Sequence, residues 1–483
     1  MLKPSHLPPP VKRLSAWLLA PFSGAAMPYT AVGIPLTVYL PNYYASHIGL
    51  SLAAVGAAFG LVRLIDIFFD PIVGIAVNAT NSVLGRFRPW LLASAPLLMA
   101  AIYMIFMADP GASKAYLVTW LLVLYAGYSM VALAHGAWAA ALVPDYNQRS
   151  RIYSWMQTTG VVGIVIVLAL PVVLAYGWHM SVAQGVQAMG WFIFAITPLT
   201  IVLCAAVVRE PRQVVSQRVT LKDYWTMIAR PSLLRVLAAD LFLALGPAIT
   251  AALYLFFFVQ ALGFTRNQTN GLLLVYIAAG LIGAPCWSMV SHRIGKHQTV
   301  MLGCVLYAIA QGVVFALPHG DLRFMVPGMA FAGFVVSCFT FQIRAMIADV
   351  GDEVRLEIGK DRLPLLYGLV VATSKVGSAL AVTITFPVIE AFGFNPAEGV
   401  VNRGTALDAL MVCYVVVPIL TMLVAALALW GYKLDKTRHD GIRADLAALE
   451  VQAVTGAASV AESLSGAEPS LIAPVTAQAS PGE

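Results

Sequence analysis

The sequence has little charge and few cysteines for a chain of 483 residues. Only 11% of its residues are charged, whereas a soluble globular chain averages about 25%. Together with a mean hydropathy of +0.82, this excludes a soluble enzyme, a disordered scaffold and a nucleic-acid-binding module. The five cysteines lie in apolar runs and form no CxxC pair, so we expect neither a metal site nor a disulfide.

The sequence also lacks a Walker loop, a nucleophile elbow, a metal cluster and a haem motif. We therefore expect no enzymatic activity, no bound cofactor and no direct coupling to ATP. The net charge of +6 reflects where loops lie relative to a membrane, and it does not indicate a nucleic-acid partner.

Long apolar runs fill most of the chain. A membrane-crossing helix needs roughly 20 apolar residues, and the runs predict an all-α, multi-pass protein of the plasma (inner) membrane, with the bilayer around it and a monomer as the expected state. The twelve predicted spans are about 14–46, 51–79, 88–108, 115–143, 151–176, 187–208, 233–262, 267–291, 298–317, 324–348, 365–393 and 405–433.

Basic residues predict the orientation. With the N-terminus placed inside, 22 of the 29 Lys and Arg residues fall in inside segments and only four in outside loops. Because cytoplasmic loops carry the excess of positive charge, both termini are predicted to be cytoplasmic. Three basic residues remain within spans, namely Arg63, Arg344 and Lys375.

A weak internal repeat divides the chain into two halves. Gly85-Arg86 after span 2 matches Gly295-Lys296 after span 8, at an offset similar to that between the ends of spans 4 and 10. The predicted domains are an N-terminal six-helix half, a cytoplasmic inter-half loop, a C-terminal six-helix half and a mostly disordered cytoplasmic tail, over residues 1–208, 209–232, 233–434 and 435–483.

The densest group of intramembrane charges lies in span 2. Spacings of three and four residues place Arg63, Asp66 and Asp70 on one helical face. Two adjacent carboxylates repel each other unless a cation or a proton lies between them, which suits a site that loads and releases a cation. Lys375 lies deep within span 11 and is the natural partner across a central cavity. An internal brace, or a lysine used only in local packing, is the alternative.

Three sequence blocks carry a resemblance to a known family. They read RLIDIFFDPIVGIAVNATNSVLGRFRPWLL at span 2, LVPDYNQRSRIYSW after span 4, and IADVGDEVRLEIGKDRLPLLYG with TSKVGSAL before and within span 11. In this order they resemble the glycoside–pentoside–hexuronide:cation symporters, the melibiose-permease-like branch of the major facilitator superfamily. The resemblance implies the major facilitator fold, cation sites at Asp66 and Asp70, and a lysine at 375 that links cation and substrate sites.

The sequence also departs from that family pattern. Phe69 replaces an Asn of the sodium-using melibiose permease, Thr30 aligns with an expected sugar-binding acid, and Val370-Val371 replaces a polar pair. The acid expected in span 4 is missing too. A typical galactoside pocket is therefore not expected. A proton is favoured over sodium as the coupling ion, although Ser129 of span 4 could add an oxygen ligand if its register allowed.

Several further residues are candidates for the site. Tyr29 and Trp138 could stack on a substrate or serve only in packing, and His135 could bind substrate or be a satisfied packing histidine. The predicted substrate-binding residues are Tyr29, Thr30, His135, Trp138, Val371 and Lys375.

Charged residues at the inner helix ends suggest a cytoplasmic gate that closes through salt bridges. Arg344 could instead snorkel to the interface, and Asp240 of span 7 receives no predicted role. The predicted gate residues are Asp145, Arg149, Arg344, Asp349 and Asp352, with Arg355 as a partner of the last two.

These patterns predict a cation-coupled secondary symporter that imports a small organic solute by alternating access. The family implies a glycoside-like solute, and the lost hydroxyl-binding groups leave open a transporter of lysolipids or other amphiphilic or aromatic solutes on the same frame. A membrane sensor is a third reading, which the paired intramembrane acids disfavour because a sensor has no need to move a cation.

Overall fold

The computed structural model describes residues 15–142, 146–178, 181–210, 230–359, 362–397 and 399–449. Throughout these ranges the regular structure is helical, apart from one isolated bridge between Ser82 and Gly85. Eleven helices in the described ranges are long and apolar enough to cross a membrane. The prediction of an all-α membrane protein is confirmed to that extent.

The first predicted span is broken into short pieces. It consists of α1 (Ala16–Gly24), α2 (Ala26–Ala31), a π-helix (Pro35–Tyr39) and α3 (Leu40–Ser46). Pro21 lies within α1, Pro35 begins the π-helix and Pro41 lies in the first turn of α3. These prolines explain the breaks, because proline donates no backbone hydrogen bond and clashes with the preceding turn. The predicted span over 14–46 is therefore present as a helical segment interrupted at its prolines.

The remaining helices of the N-terminal half are long and regular. They are α4 (Leu52–Ala79), α5 (Arg88–Phe106), α6 (Lys114–Leu142), α7 (Tyr146–Trp178) and α8 (Val182–Val207). Helix α4 packs against α6, α5 packs against both α6 and α8, and the first span lies against α7 and α8.

The C-terminal half follows with the same overall plan. Its helices are α9 (Pro231–Phe256) with a π-helix (Phe257–Ala261), α10 (Arg266–Ile294), α11 (Lys296–Ala316), α12 (Leu322–Ile358), α13 (Leu363–Ala391), and a last span made of α14 (Thr405–Met411), a π-helix (Val412–Val416) and α15 (Val417–Leu429).

The two halves meet through corresponding helices. The main contacts join α4 to α13 and α7 to α10, with further contacts from the first π-helix and α3 to α9. If the six spans of one half repeat in the other, α4 corresponds to α10 and α7 to α13. Under this correspondence the contact of α4 with α13 becomes the contact of α10 with α7, and the reverse. This is the arrangement expected of two similar halves packed about a pseudo-twofold axis.

Polar contacts between the halves cluster where α4 begins and α13 ends. The Tyr39 hydroxyl donates to Asn270 Oδ1 over 2.9 Å, and Arg266 donates to the Asn42 side chain. Glu390 of α13 accepts from the backbone N–H of Ala53, in the first turn of α4. This end of the bundle is therefore closed by contacts between the halves.

The C-terminal segment begins with a helix. A helix, α16, covers 436–449, within the stretch predicted to be a mostly disordered tail, and residues 450–483 lie outside the described ranges. Leu434 and Ile442 are buried in the core of the C-terminal half. Because these apolar side chains are spaced eight residues apart, they can anchor one side of the segment against the bundle.

We expect Gly333→Ala to destabilise the C-terminal half. A Cβ at Gly333 would lie 1.9 Å from the backbone oxygen of Tyr276 on α10, so α10 and α12 would have to separate. Overpacking of this kind costs about 1–3 kcal/mol. The measurement is the thermal unfolding midpoint of purified protein, which should fall.

The matched control for this substitution is Gly271→Ala, also within a helix of the same half. A Cβ at Gly271 meets nothing within 4 Å, and alanine has the better helix propensity. Its unfolding midpoint should be unchanged or higher. Equal midpoints for the two variants would contradict the close packing of α10 on α12.

Candidate functional site

A buried ion cluster joins the two halves of the molecule. Asp66 and Asp70 lie one turn apart on α4, and Lys375 reaches them from α13. Lys375 Nζ lies 2.6 Å from Asp66 Oδ2 and 2.5 Å from Asp70 Oδ2. The side chains are 14% exposed for Lys375, 1% for Asp66 and 20% for Asp70. The pairing expected from the sequence is present in the structure.

Arg63 belongs to the same helix face but has a different partner. Its Nη1 donates to the Tyr125 hydroxyl over 2.8 Å, and its guanidinium lies 5.2 Å from the centre of the Tyr125 ring. Arg63 therefore contributes positive charge near the acids while its direct contacts are with α6. This leaves Lys375 as the cation in direct contact with both carboxylates.

Helix α6 also contributes an oxygen to the cluster. Ser129 Oγ donates to Asp66 Oδ1 over 2.9 Å, which gives the register that the sequence left open. By contrast, Asp70 Oδ1 is buried and has no hydrogen-bond partner among the described residues. A buried carboxylate oxygen without a partner is energetically costly, and it is available to accept a proton or to contact a cation.

Asp240 holds the helix that carries Lys375. This buried carboxylate of α9 accepts hydrogen bonds from Thr373 Oγ1 at 2.6 Å and from Ser374 Oγ at 2.8 Å. Gly377 allows the same two helices to approach closely, since a Cβ there would lie 2.5 Å from the backbone oxygen of Leu241. Asp240 has no role among the predictions made from the sequence. Its presence as a lone acid in an apolar span was the available signal.

Four predicted substrate residues lie within the N-terminal half. The Phe22 carbonyl can only accept, so His135 Nε2 donates to it at 2.9 Å, and Nδ1 then accepts from the Tyr29 hydroxyl at 3.3 Å. Trp138 is fully buried against Phe22. Thr30 faces α7 at Gly160.

The arrangement of Tyr29, Thr30, His135 and Trp138 is that of a packed interface between the first span, α6 and α7. The other two predicted substrate residues, Val371 and Lys375, lie on α13, where Val371 is 46% exposed.

Two cavities meet at Thr37 of the first span. The smaller, of about 30 Å³, is lined by Thr37, Arg63 and Tyr125 of the N-terminal half and by Ser378 of α13, among others. The larger, of about 90 Å³, lies mostly within the C-terminal half and shares Thr37 with the first. None of the four N-terminal residues described above lines either cavity.

Two of the predicted gate residues, Asp349 and Asp352, have ion-pair partners in the C-terminal half. Lys296 Nζ lies 2.5 Å from Asp349 Oδ1, and His439 Nε2 of α16 lies 3.2 Å from Asp349 and 3.0 Å from Asp352. Arg344 is exposed. Asp145 and the side chain of Arg149 lie outside the described residues. The described contacts thus join α11, α12 and α16 within one half.

Comparisons with solved structures agree with this fold. The nucleoside transporter NupG superposes with a TM-score of 0.63 over 87% of this chain and all of that protein, at 14% sequence identity. A bacterial homologue of the human lysosomal transporter Spinster, in an inward-facing conformation, superposes with a TM-score of 0.59 over 89% of this chain and 96% of its own. At such low identity these similarities concern the fold alone.

Sequence comparisons identify the family. The isoprimeverose transporter of Lactiplantibacillus pentosus is 26% identical over 430 residues, which cover 83% of this chain and 85% of that protein. The glucuronide carrier protein homolog of Escherichia coli K12 is 24% identical and covers 84% of this chain and 90% of its own. Residues 21–436 match the family described as MFS/sugar transport protein. The chain therefore belongs to this sugar transport family of the major facilitator superfamily, as a multi-pass membrane protein related to the glycoside–pentoside–hexuronide symporters.

Proposed function

We propose that the protein is a proton-coupled symporter that imports a small glycoside-like solute by alternating access. The observation that carries the proposal is the contact of Lys375 with both Asp66 and Asp70 across the two halves. Ion binding at residues that join the two halves can change the relative stability of the conformations between which the halves move. The family membership supports transport of a sugar-like solute.

Charge balance explains how the cluster could couple ion and solute. Two carboxylates and the one ammonium in contact with them sum to one negative charge. Arg63 keeps its own positive charge, because its partner, the Tyr125 hydroxyl, is neutral, and it acts on the acids without contacting them directly. One added proton brings the three-residue cluster to neutrality. Uncompensated charge is costly in a low-dielectric interior, so the halves would rearrange more readily with the cluster neutral. Asp70 is the acceptor best placed for this proton, because its Oδ1 has no partner among the described residues.

The oxygen supply supports a proton over sodium. Asp66 and Asp70 provide carboxylates and Ser129 provides one hydroxyl, while Phe69 supplies no ligand atom. A hard cation requires an oxygen cage of several ligands, whereas a proton requires a single carboxylate. No group of three or more His, Cys, Asp or Glu side chains arranged to bind a metal ion occurs among the described residues.

The proposed topology places twelve spans in the membrane with both termini in the cytoplasm. Eleven helices qualify by length and composition, and the broken segment 16–46 would be the twelfth. With this orientation the closed end at Tyr39 and Asn270 faces outward, and the solute would leave toward the cytoplasm from the conformation described.

A transporter of lysolipids or other amphiphiles is the second candidate. It is favoured by the absence of any acid from 14–46 and by the valines at 370 and 371, which cannot bind sugar hydroxyls. Transport that lysolipids inhibit and glycosides do not would favour this second candidate over the first.

Neutral variants test the coupling role of the acids. Asp66→Asn and Asp70→Asn should each lower solute accumulation from roughly fifty-fold at 100 mV to equilibration with the medium, because the proton acceptor is lost while the side-chain shape is kept. The measurement is uptake into proteoliposomes under an imposed potential and pH gradient. Asp109→Asn is the control, since Asp109 is exposed in a loop. Undiminished accumulation by both variants would refute the assignment.

The coupling ion can be identified by exchanging the gradients. Uptake should proceed in sodium-free medium under an inward proton gradient and should stop when an uncoupler collapses that gradient, even with a sodium gradient supplied. The reason is that the described cluster offers too few oxygens for sodium. Uptake that survives the uncoupler and follows sodium would require a metal cage in place of proton transfer.

We further expect no saturable uptake of melibiose. Thr30 and Val370-Val371 stand where charged and amide acceptors would bind galactoside hydroxyls, and each hydroxyl that is desolvated without a partner costs about 1–3 kcal/mol. The measurement is uptake of labelled melibiose by purified, reconstituted protein beside empty liposomes. Robust, saturable uptake would contradict this expectation.

A further inference from the structure

Asp240 of α9 is a buried carboxylate that the coupling proposed above does not use. Its side chain belongs to a residue that is only 6% exposed. Helix α9 begins at Pro231, so a rise of about 1.5 Å per residue places Asp240 roughly 14 Å from that end of the helix. An ionisable side chain at such depth in a membrane helix is costly. Either its surroundings compensate the charge, or the carboxyl group binds a proton.

The charged residues around Asp240 do not neutralise it by direct contact. Lys375 of α13 binds the two acids of α4 instead, and Arg235 of α9 donates to the backbone oxygen of Trp430. Arg344 of α12 acts on Asp240 only at longer range. The other segments that pack on α9 are α3, α15 and the three π-helices, and none of them contains an acidic or basic residue. Among the described residues, Asp240 therefore forms no ion pair.

Two hydroxyl groups of α13 are the direct partners of this carboxylate. Thr373 Oγ1 lies 2.6 Å and Ser374 Oγ lies 2.8 Å from the same oxygen, Asp240 Oδ2. Both hydroxyl-bearing residues are partly exposed, so protons can reach the carboxyl group past them. Hydroxyl dipoles are weaker compensation for a buried charge than a cation in contact with it.

The Thr373 hydroxyl has two acceptors within reach and one proton to donate. Its Oγ1 lies 2.6 Å from Asp240 Oδ2 and 2.9 Å from the backbone oxygen of Val370, and a hydroxyl is one donor and an acceptor. When Asp240 is ionised, Thr373 donates to the carboxylate. When Oδ2 carries a proton, that O–H donates to Thr373 Oγ1, and Thr373 turns its own proton to Val370.

Both protonation states of Asp240 therefore keep their hydrogen bonds. The change adds one proton to Oδ2, takes the charge from minus one to zero, and requires only a rotation of the Thr373 hydroxyl. A buried polar group left without a partner is costly, so a site that served a single state would lose stability in the other. The pair of acceptors at Thr373 removes that penalty.

We infer that Asp240 is a second proton-binding site of this protein, separate from the cluster on α4, and that Thr373 accommodates both of its states. The function proposed above needs one proton at Asp66 or Asp70. This second site gives the C-terminal half a proton acceptor of its own, on the opposite side of α13 from the contact with α4.

Protonation of Asp240 would loosen the contact between α9 and α13. Hydrogen bonds to an ionised carboxylate are roughly twice as strong as those between neutral groups, and Thr373 and Ser374 directly precede Lys375 in the sequence. An ionised Asp240 therefore holds the segment of α13 that carries the lysine. A protonated Asp240 would let that segment shift relative to α9 while the halves move.

The test is an infrared titration of the purified protein, which follows the carbonyl stretch of protonated carboxyl groups and requires no solute. Between about pH 5 and pH 9, wild-type protein should lose a carboxyl band that Asp240→Asn lacks. Asparagine keeps the shape of the side chain and an oxygen that can accept from Thr373 and Ser374. Asp109→Asn, which removes an exposed loop acid, is the control and should keep the band. A titration of Asp240→Asn identical to that of the wild type would overturn the second site.

Two variants of Thr373 separate a proton site from a merely structural acid. Thr373→Val keeps the shape but removes the donor to the ionised carboxylate. The proton affinity of Asp240 should then rise roughly fivefold, and its band should titrate at higher pH, because hydrogen bonds to charged groups exceed those to neutral ones. Thr373→Ser keeps the hydroxyl and should titrate like the wild type. Equal titrations of the two folded variants would contradict the role given to Thr373.

The outcomes distinguish this site from the proposed symport. If the Asp240 band is present but does not titrate, Asp240 is a structural acid, and coupling through Asp66 and Asp70 is unaffected. If the band titrates while Asp66→Asn and Asp70→Asn still accumulate solute, the coupling role of those acids is wrong and the second proton site stands.

Discussion

The pairing of Lys375 with Asp66 and Asp70 is the interaction on which the rest of the arrangement depends. Each of these charges would be costly alone in the interior of a membrane protein, and together they satisfy one another across the boundary between the halves. Their proximity requires α4 and α13 to be neighbours. On the side of the bundle where α4 begins, Gly56 and Gly60 allow that approach, because a Cβ at either would clash with α13.

Local irregularity is concentrated where the halves and the cavities meet. The first span contains a π-helix over Pro35–Tyr39, and the last span contains another over Val412–Val416. Thr37 of the first and Tyr414 of the second both line the larger cavity. A π-helix accommodates an extra residue per turn, and such segments frequently occur at functional sites. At these two segments the irregular helix places the polar side chains of Thr37 and Tyr414 at a cavity within an otherwise apolar bundle.

The two halves divide the work of the site unequally. The N-terminal half supplies the acids, Ser129 and Arg63, and its aromatic cluster around His135 is packed and internally hydrogen-bonded. The C-terminal half supplies Lys375 and most of the residues that line the larger cavity. Asp240 fixes α13 through Thr373 and Ser374, so the position of the lysine is determined by its own half while its partners belong to the other.

The membrane class, the repeat of two halves and the ion cluster could be predicted from the sequence by itself. Apolar runs, basic loops and the three- and four-residue spacings of span 2 are local patterns, and burial makes unpaired charges so costly that Lys375 had to find acids. Register between helices is not local. Only the tertiary structure decided that Ser129 contacts Asp66, that Arg63 turns to Tyr125, and that Asp240 holds α13.

The larger cavity could not be predicted from the sequence for the same reason. The four tyrosines that line it, Tyr254, Tyr276, Tyr307 and Tyr414, come from three different helices and a π-helix that are far apart in the sequence. Each of them taken singly is an ordinary tyrosine in an apolar span. The prolines of the first span indicate that it is interrupted. Which of its side chains face the neighbouring helices at the interruption depends on the packing of that span against α7 and α9.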